Sequence, residues 1–382
     1  MLAAGILAVW GLCGSATAKR ALPGDPLILD GADNIVVEGR GATVVLTGNV
    51  RFHRGDVRFR SLSATWDRTT DQVRFQGDFR LEHPSGTLTS LSGRYERASG
   101  SAFADGAAHL VDSSGRVTLD AGAIRYDRAA HRAEASQSPV FRKLPCPPGS
   151  ACLPTDTGRD TTEIRGRTLV WRDADSVAEA RGDVRLRRGS LVATCGMATM
   201  DERTSKLLLE ESPSASLASK VLSGRKMVLD IDLRRERIRK VVVLQEARGT
   251  LEGDPDSSGR RQMERVFGDT LVAELDGDTL RDVLVVHKAR GTSFTDLDTT
   301  RRDELWGDSL RLVFHAGKMK SAWIQGNARS VYHHMEKNFD KGRNEARGRT
   351  IRIAFDDGKV HRIRIDGAAK GTYYGTEPRK AD

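Results

Sequence analysis

Few residues in this sequence stand in a pattern that performs chemistry. Ser223-Gly-Arg-Lys226 has the Ser-x-x-Lys spacing of a serine nucleophile served by a lysine. The same segment opens Gly224-Arg-Lys-Met227, which recurs in kind as Gly268-Asp-Thr-Leu271 and Gly307-Asp-Ser-Leu310, so it reads as the start of a repeat. His333-His334 lacks the Glu spacing of a zinc-binding helix, and no Gly-x-x-x-x-Gly-Lys-Ser/Thr phosphate loop occurs. Any ATP hydrolysis therefore belongs to a partner. Scattered Asp and Glu mostly occupy turns, where their side chains bond the backbone. The expectation is a protein that is not an enzyme, with no catalytic residue, no metal and no cofactor.

The cysteines carry a different chemistry. Cys146-Pro-Pro-Gly-Ser-Ala-Cys152 is a short polar loop, and in an oxidising compartment it predicts a local Cys146–Cys152 disulfide; a metal would need more ligands than the loop supplies. Cys195, between Thr194 and Gly196 with no His nearby, reads as a small buried strand residue.

The elements that position these groups are repeats. Gly48-Asn-Val-Arg-Phe52, Gly77-Asp-Phe-Arg-Leu81 and Gly106-Ala-Ala-His-Leu110 are spaced 29 and 29, and the turns Trp66-Asp-Arg68, Tyr95-Glu-Arg97 and Tyr126-Asp-Arg128 are spaced 29 and 31. Turn to turn is about fifteen residues, or about 50 Å of straight strand at ~3.3 Å each, so the arms must bend. Gly77, Gly93, Gly106 and Gly122 fall near mid-arm, where a bulge or corner is tolerated. In the second half, Gly166, Gly224, Gly268, Gly307 and Gly348 open longer units. The return arms Ala247-Arg-Gly-Thr250, Ala289-Arg-Gly-Thr292, Ala328-Arg-Ser330 and Ala369-Lys-Gly-Thr372 are spaced 42, 39 and 41.

Within the arms the alternation has period two. Val50 and Phe52 oppose Arg51 and His53, Leu310, Leu312 and Phe314 oppose Arg311 and His315, and Ile351, Ile353 and Phe355 oppose Arg352. The expected fold is all-β, built from stacked bent antiparallel hairpins, with Met197–Leu209 and Glu336–Glu345 as short helical exceptions.

Composition narrows the function. The 382 residues hold 61 Lys+Arg against 52 Asp+Glu, a net +9, with 38% apolar residues, which is too polar for a polytopic membrane protein. Met1–Ala18 is an uncharged apolar run ending in Ala16-Thr-Ala18, which predicts a signal peptide cleaved near Ala18. Sparse aromatics on the charged arms, no reader motif and export exclude nucleic acid. The Arg-rich outer face reads as solvated surface, although Arg can hold phosphate or anionic sugar bidentately.

Leu27-Ile-Leu-Asp-Gly-Ala-Asp33, Thr47-Gly-Asn-Val50 and Gly55-Asp-Val-Arg-Phe59, followed by the Trp66 and Tyr95 turn units, resemble the OstA-like or LptA-type lipopolysaccharide export proteins. The resemblance covers residues 27–143 closely and 166–374 more loosely. It implies a V-shaped periplasmic β-jellyroll, open at both ends, whose apolar interior carries lipopolysaccharide acyl chains. Members join head to tail and link an inner-membrane Lpt-type extractor complex to an outer-membrane Lpt-type translocon. This chain is about twice the length of a simple bridge protein and lacks the long barrel region of the outer-membrane member.

On that basis residues 1–18 are a signal peptide, 19–143 an N-terminal jellyroll, 144–163 a Cys-containing loop and 164–382 a C-terminal repeat region. The groove candidates are Val50, Phe52, Val57, Phe59, Phe79, Leu81, Leu310, Leu312, Phe314, Ile351, Ile353 and Phe355. A non-catalytic, propeller-like scaffold is the alternative reading, since about 40 residues is also a blade length.

Overall fold

The computed structural model describes residues 26–127, 130–144, 161–172, 175–232, 237–255, 261–276, 279–295, 298–316, 318–336, 339–356 and 359–375. Residues 1–18, expected to form a signal peptide, and the Cys146–Cys152 pair, expected to form a disulfide, lie outside them. Apart from a 3-10 turn at Gly39–Gly41, every element among the described residues is a β-strand. The bent antiparallel hairpins expected from the period-two alternation are the architecture the chain adopts.

Two compact units divide the chain, Met1–Ser205 and Lys206–Asp382. The first contains β1 (Ile28–Gly31), β2 (Asn34–Glu38), β3 (Thr43–Arg54), β4 (Val57–Asp67), β5 (Gln72–His83), β6 (Gly86–Glu96) and β7 (Ser101–Asp112). It continues through β8 (Val117–Asp127), β9 (Arg132–Ser136), β10 (Val140–Lys143), β11 (Thr162–Arg165), β12 (Thr168–Arg172), β13 (Val177–Arg188) and β14 (Leu191–Asp201). The second contains β15 (Lys206–Glu210), β16 (Ser214–Leu217), β17 (Lys220–Ser223), β18 (Lys226–Asp232), β19 (Arg237–Pro255) and β20 (Arg261–Asp276). Its remaining strands are β21 (Thr279–Thr295), β22 (Asp298–His315), β23 (Lys318–Glu336), β24 (Phe339–Asp356), β25 (Lys359–Asp366) and β26 (Lys370–Gly375).

Each unit is largely a meander: β3 to β8 pair in sequence in the first, and β19 to β24 in the second. Its rungs are long because each strand carries two arms around a corner. Two consecutive residues take left-handed backbone there: Gly48–Asn49, Gly77–Asp78, Gly106–Ala107, Gln137–Ser138 and Gly182–Asp183 in the first unit. In the second unit the pairs are Glu211–Ser212, Gln245–Glu246, His287–Lys288, Gly326–Asn327 and Gly367–Ala368. The ladder register slips across most of them, as between Thr47 and Val50 or Val286 and Ala289, because one extra residue is inserted. A left-handed L-residue costs about 1–2 kcal/mol, which is why glycine fills the first position at six of these corners.

Gly77 and Gly106 thus have the corner role expected of them. Gly93 and Gly122 serve a different purpose: a Cβ on Gly93 would stand 2.5 Å from the Phe79 ring, and one on Gly122 would stand 2.3 Å from the Gln137 side chain. They are small because a neighbouring side chain crosses them.

In the first unit the two arms close on each other through aromatic rings. Phe59 stacks on Phe75 at 5.6 Å between centroids, Phe52 meets Phe75 and Trp66 edge-on at 5.8 and 6.0 Å, and Tyr95 lies 4.8 Å from Phe59. Phe59 pairs in register with Leu81 in the arm of β5 beyond its corner, so its contact with Phe75 spans the interior.

The helical exceptions expected at Met197–Leu209 and Glu336–Glu345 are not formed. Met197–Asp201 belongs to β14, Lys206–Leu209 to β15, and Phe339–Glu345 to β24. Ala198 and Met200, and then Leu207 and Leu209, are the buried residues, a period of two that suits a strand with one face covered.

Candidate functional site

The candidate site is the inward face of the arms. In the first unit Val50, Phe52, Phe59 and Phe79 are 0–1% exposed, and Val57 and Leu81 pack half-buried against the same core. Bulky rings fill this interior: besides the contacts above, Phe75 and Phe79 approach to 5.1 Å.

The second unit is lined differently. Val243, Leu271, Val285, Leu310, Ile324 and Ile351 are direct register partners across six strands and form one fully buried row. Beside it run Val241, Ala273, Val283, Leu312, Ala322 and Ile353, also buried and in register. Neither row contains an aromatic ring. Phe314 is buried further along β22, and Phe355 is half-buried on β24.

Past the corner the lining shrinks and then turns polar. Ala247 opposes Gly268, Ala289 opposes Gly307 and Ala328 opposes Gly348, all three alanines being buried. Four residues beyond Ala289 in the same arm, Ser293 lies between Glu264 and Asp303 in the ladder. Its hydroxyl accepts a hydrogen bond from the Gln262 side-chain amide at 2.5 Å, and Asp303 accepts the His333 backbone N–H at 2.8 Å, with the His333 Nδ1 at 3.3 Å. Burial raises the Glu264 carboxyl above the usual carboxylate range. It also raises Asp303, against the lowering pull of His333, and it raises the Tyr332 phenol. The face is therefore graded from aliphatic through small to polar.

The other residues singled out from the sequence find structural roles. Lys226 reaches the Glu210 carboxylate at 3.0 Å, and Ser223 ends β17 opposite Arg248, so the Ser-x-x-Lys pair is not joined. Cys195 is a buried residue of β14 opposite Val184. Asp67 accepts the Thr69 and Thr70 amides at 2.8 and 3.1 Å, and bonds from Thr70 hold its carboxyl below the usual range. Asp201 caps its turn in the same way. The His334 side chain lies outside the described ones.

Sequence reasoning missed the tandem left-handed corners, since four of the pairs contain no glycine. It also missed the polar end of the second unit, whose residues come from separate repeats. The Ala-Arg-Gly spacing that marks each return arm was the available signal for both.

The fold defines an all-β protein of bent antiparallel rungs with an apolar inward face. No family model matches the sequence, and no curated protein matches it. Among solved structures, the chain is similar to the crystal structure of LptH, the LptA homologous periplasmic component of the conserved lipopolysaccharide transport device from Pseudomonas aeruginosa. The identity is 11%, the match covers 47% of this chain and 79% of that one, and the TM-score is 0.13.

Proposed function

We propose that this protein is a periplasmic lipopolysaccharide-binding transport protein. It carries lipid acyl chains along an apolar β-groove, as part of a bridge from inner to outer membrane that serves outer-membrane assembly. The observation that carries the reading is the pair of ring-free aliphatic rows in the second unit, repeated at each strand from β19 to β24. Each CH₂ removed from water is worth ~0.8 kcal/mol, so a chain of about a dozen carbons gains on the order of 10 kcal/mol gross. Similar rungs offer similar affinity, so a chain can pass from one to the next without leaving a deep single well.

The groove candidates divide by their surroundings. Phe52, Phe59 and Phe79 each make a ring contact with Phe75, so lodging a tail there means parting that cluster. Leu310, Leu312, Ile351 and Ile353 face aliphatic neighbours, which slide past an alkyl chain at lower cost.

The terminal strands support the bridge. Every residue of β2 is exposed, with Ile35, Val36 and Val37 at 53, 51 and 59%, and every residue of β26 is exposed too, including Tyr373 and Tyr374. Such edges accept another strand. On this reading β2 and β26 meet the inner-membrane extractor, the outer-membrane translocon or a further copy head to tail.

Photocrosslinking from Leu312 and Ile353 in cell envelopes tests the proposal. Attached glycolipid is the expected product, with Phe59 giving less. No glycolipid at any inward position would leave a scaffold with a sealed interior.

A further inference from the structure

The return-arm motif has a consequence on the opposite, outward face. Arg248, Arg290, Arg329 and Lys370 are the second residues of Ala247-Arg-Gly-Thr250, Ala289-Arg-Gly-Thr292, Ala328-Arg-Ser330 and Ala369-Lys-Gly-Thr372. Strand pairing draws them into one line. Arg248 opposes Phe267, Phe267 opposes Arg290, Arg290 opposes Trp306, and Trp306 opposes Arg329. Arg329 then opposes Arg347, and Arg347 opposes Lys370. At about 4.8 Å per strand the line is about 29 Å long. Its cations are mostly exposed, and Arg290 and Arg329 flank the Trp306 ring at 5.7 and 5.0 Å from its centroid.

Part of this line sets like charges against each other. Arg329, Arg347 and Lys370 are like charges directly opposite on adjacent strands, a destabilising placement. Glu304 pairs with Arg290 at 2.7 Å and Glu345 lies 3.7 Å from Arg329, but among the described residues Arg248, Arg347 and Lys370 have no ion pair. The corresponding outer line of the first unit reads Arg51, Arg60, Arg80, Thr89, His109 and Asp120, so its cations stop after three strands. There Glu82 serves both Arg60 and Arg80, and Asp120 takes His109 and Arg142. The first unit sets Glu82 and Asp120 against three arginines, of which Arg51 has no ion pair among the described residues, whereas the second sets Glu304 and Glu345 against five cations.

We infer that the outward face of the second unit's return arms binds an anionic glycan. Guanidinium groups hold carboxylate or phosphate bidentately, and Arg248, Arg290, Arg329, Arg347 and Lys370 take those groups. Phe267 and Trp306 lie half-buried on alternate strands between the cations, and the Trp306 ring positions Arg290 and Arg329, which lie over it. A second copy of the chain is disfavoured as the occupant, because it too carries net +9. The site lies on the face opposite the acyl-chain rows and does not depend on them.

Binding of fluorescent polygalacturonate to the full chain, followed by anisotropy against salt, tests the assignment. Neutral dextran, a single-stranded oligonucleotide, intact lipopolysaccharide and its delipidated polysaccharide are the comparison probes. Polygalacturonate is expected to bind and dextran not to. The triple substitution Arg248→Gln, Arg347→Gln, Lys370→Gln removes no ion pair seen among the described residues, and it should weaken binding about ten-fold or more and flatten the salt dependence. Trp306→Leu should weaken polygalacturonate at unchanged salt dependence. Loss with intact lipopolysaccharide alone assigns the site to a glycolipid headgroup, and loss with the delipidated chain as well assigns it to the free glycan. Unchanged binding in the triple variant, or an oligonucleotide that binds as well as polygalacturonate with Trp306→Leu inert, overturns the inference. Inward crosslinking of glycolipid should persist in the triple variant, which separates the two sites.

Discussion

The Arg54 guanidinium donates a 2.5 Å hydrogen bond to the Tyr95 hydroxyl, and a second of 3.0 Å to the Arg97 carbonyl, from a position only 2% exposed. Arg54 ends β3 and Tyr95 lies near the end of β6, strands separated in the ladder by β4 and β5. The bond therefore ties one arm of the first unit to the other, beside the Phe59–Tyr95 contact. Tyr95→Phe keeps the ring packing and removes only the hydroxyl, so it should cost about 1–3 kcal/mol, the range for a hydrogen bond to a buried charged donor. Urea denaturation measures it; a loss below experimental error would show that the tie contributes nothing.

The corners make a second prediction. His287 takes φ 61°, whereas glycine occupies the same position at Gly326 and Gly367. His287→Gly should relieve left-handed strain of about 1–2 kcal/mol and lose part of that gain to backbone entropy, for a net stabilisation of about 0.5–1 kcal/mol. Gly77→Ala should do the reverse by more than 1 kcal/mol or so, since φ is +72° and the new Cβ would lie 2.8 Å from the Leu62 Cδ1. Thermal melts of both variants decide it.

Glu264 sets a pH dependence. Burial raises its folded-state pKa, so between the unfolded and folded values the native state holds a proton that the unfolded chain has released. Stability falls as pH rises through that window and stays lower above it. Glu264→Gln should raise the urea midpoint at neutral pH, with the gain vanishing near pH 4, about the unfolded carboxylate value. A gain that is constant with pH would contradict the assignment to ionisation.

Filling the aliphatic rows should exclude an alkyl tail. Leu312→Phe with Ile353→Phe adds ring volume to residues only 7 and 6% exposed, at an overpacking cost of about 1–3 kcal/mol. Half-saturation with a fluorescent fatty acyl probe should then require at least about ten-fold more probe, with the far-ultraviolet dichroism of a β protein retained. Undiminished binding by the folded variant would remove these rows from the lipid path.

The edge of β2 makes a fifth case. It pairs with β3 alone among the described strands, and Val36→Lys places a charge on its exposed face without altering that ladder. Sedimentation velocity at rising concentration should show less association than the parent chain. Equal association would locate self-contact elsewhere.

The sequence by itself determined the class of structure. Alternation of the kind seen at Val50-Arg51-Phe52 and Leu310-Arg311-Leu312 selects strands because only a strand puts every second side chain on one face, and the glycines of the repeat mark where such strands must turn. The buried state of the groove candidates Phe52, Phe59, Leu310 and Ile351 follows from the same parity. Tertiary structure alone decided what each face became. Register across the corners brought Phe59 against Phe75 and closed one interior with rings, while it set Leu310 beside Val285 and Ile324 in the other. It also aligned Arg248, Arg290, Arg329 and Lys370, residues of four separate repeats, into one cationic line. Contacts between rungs depend on where each bulge shifts the ladder by one residue, and that shift is set by backbone conformation at pairs such as His287–Lys288, which no side-chain pattern announces.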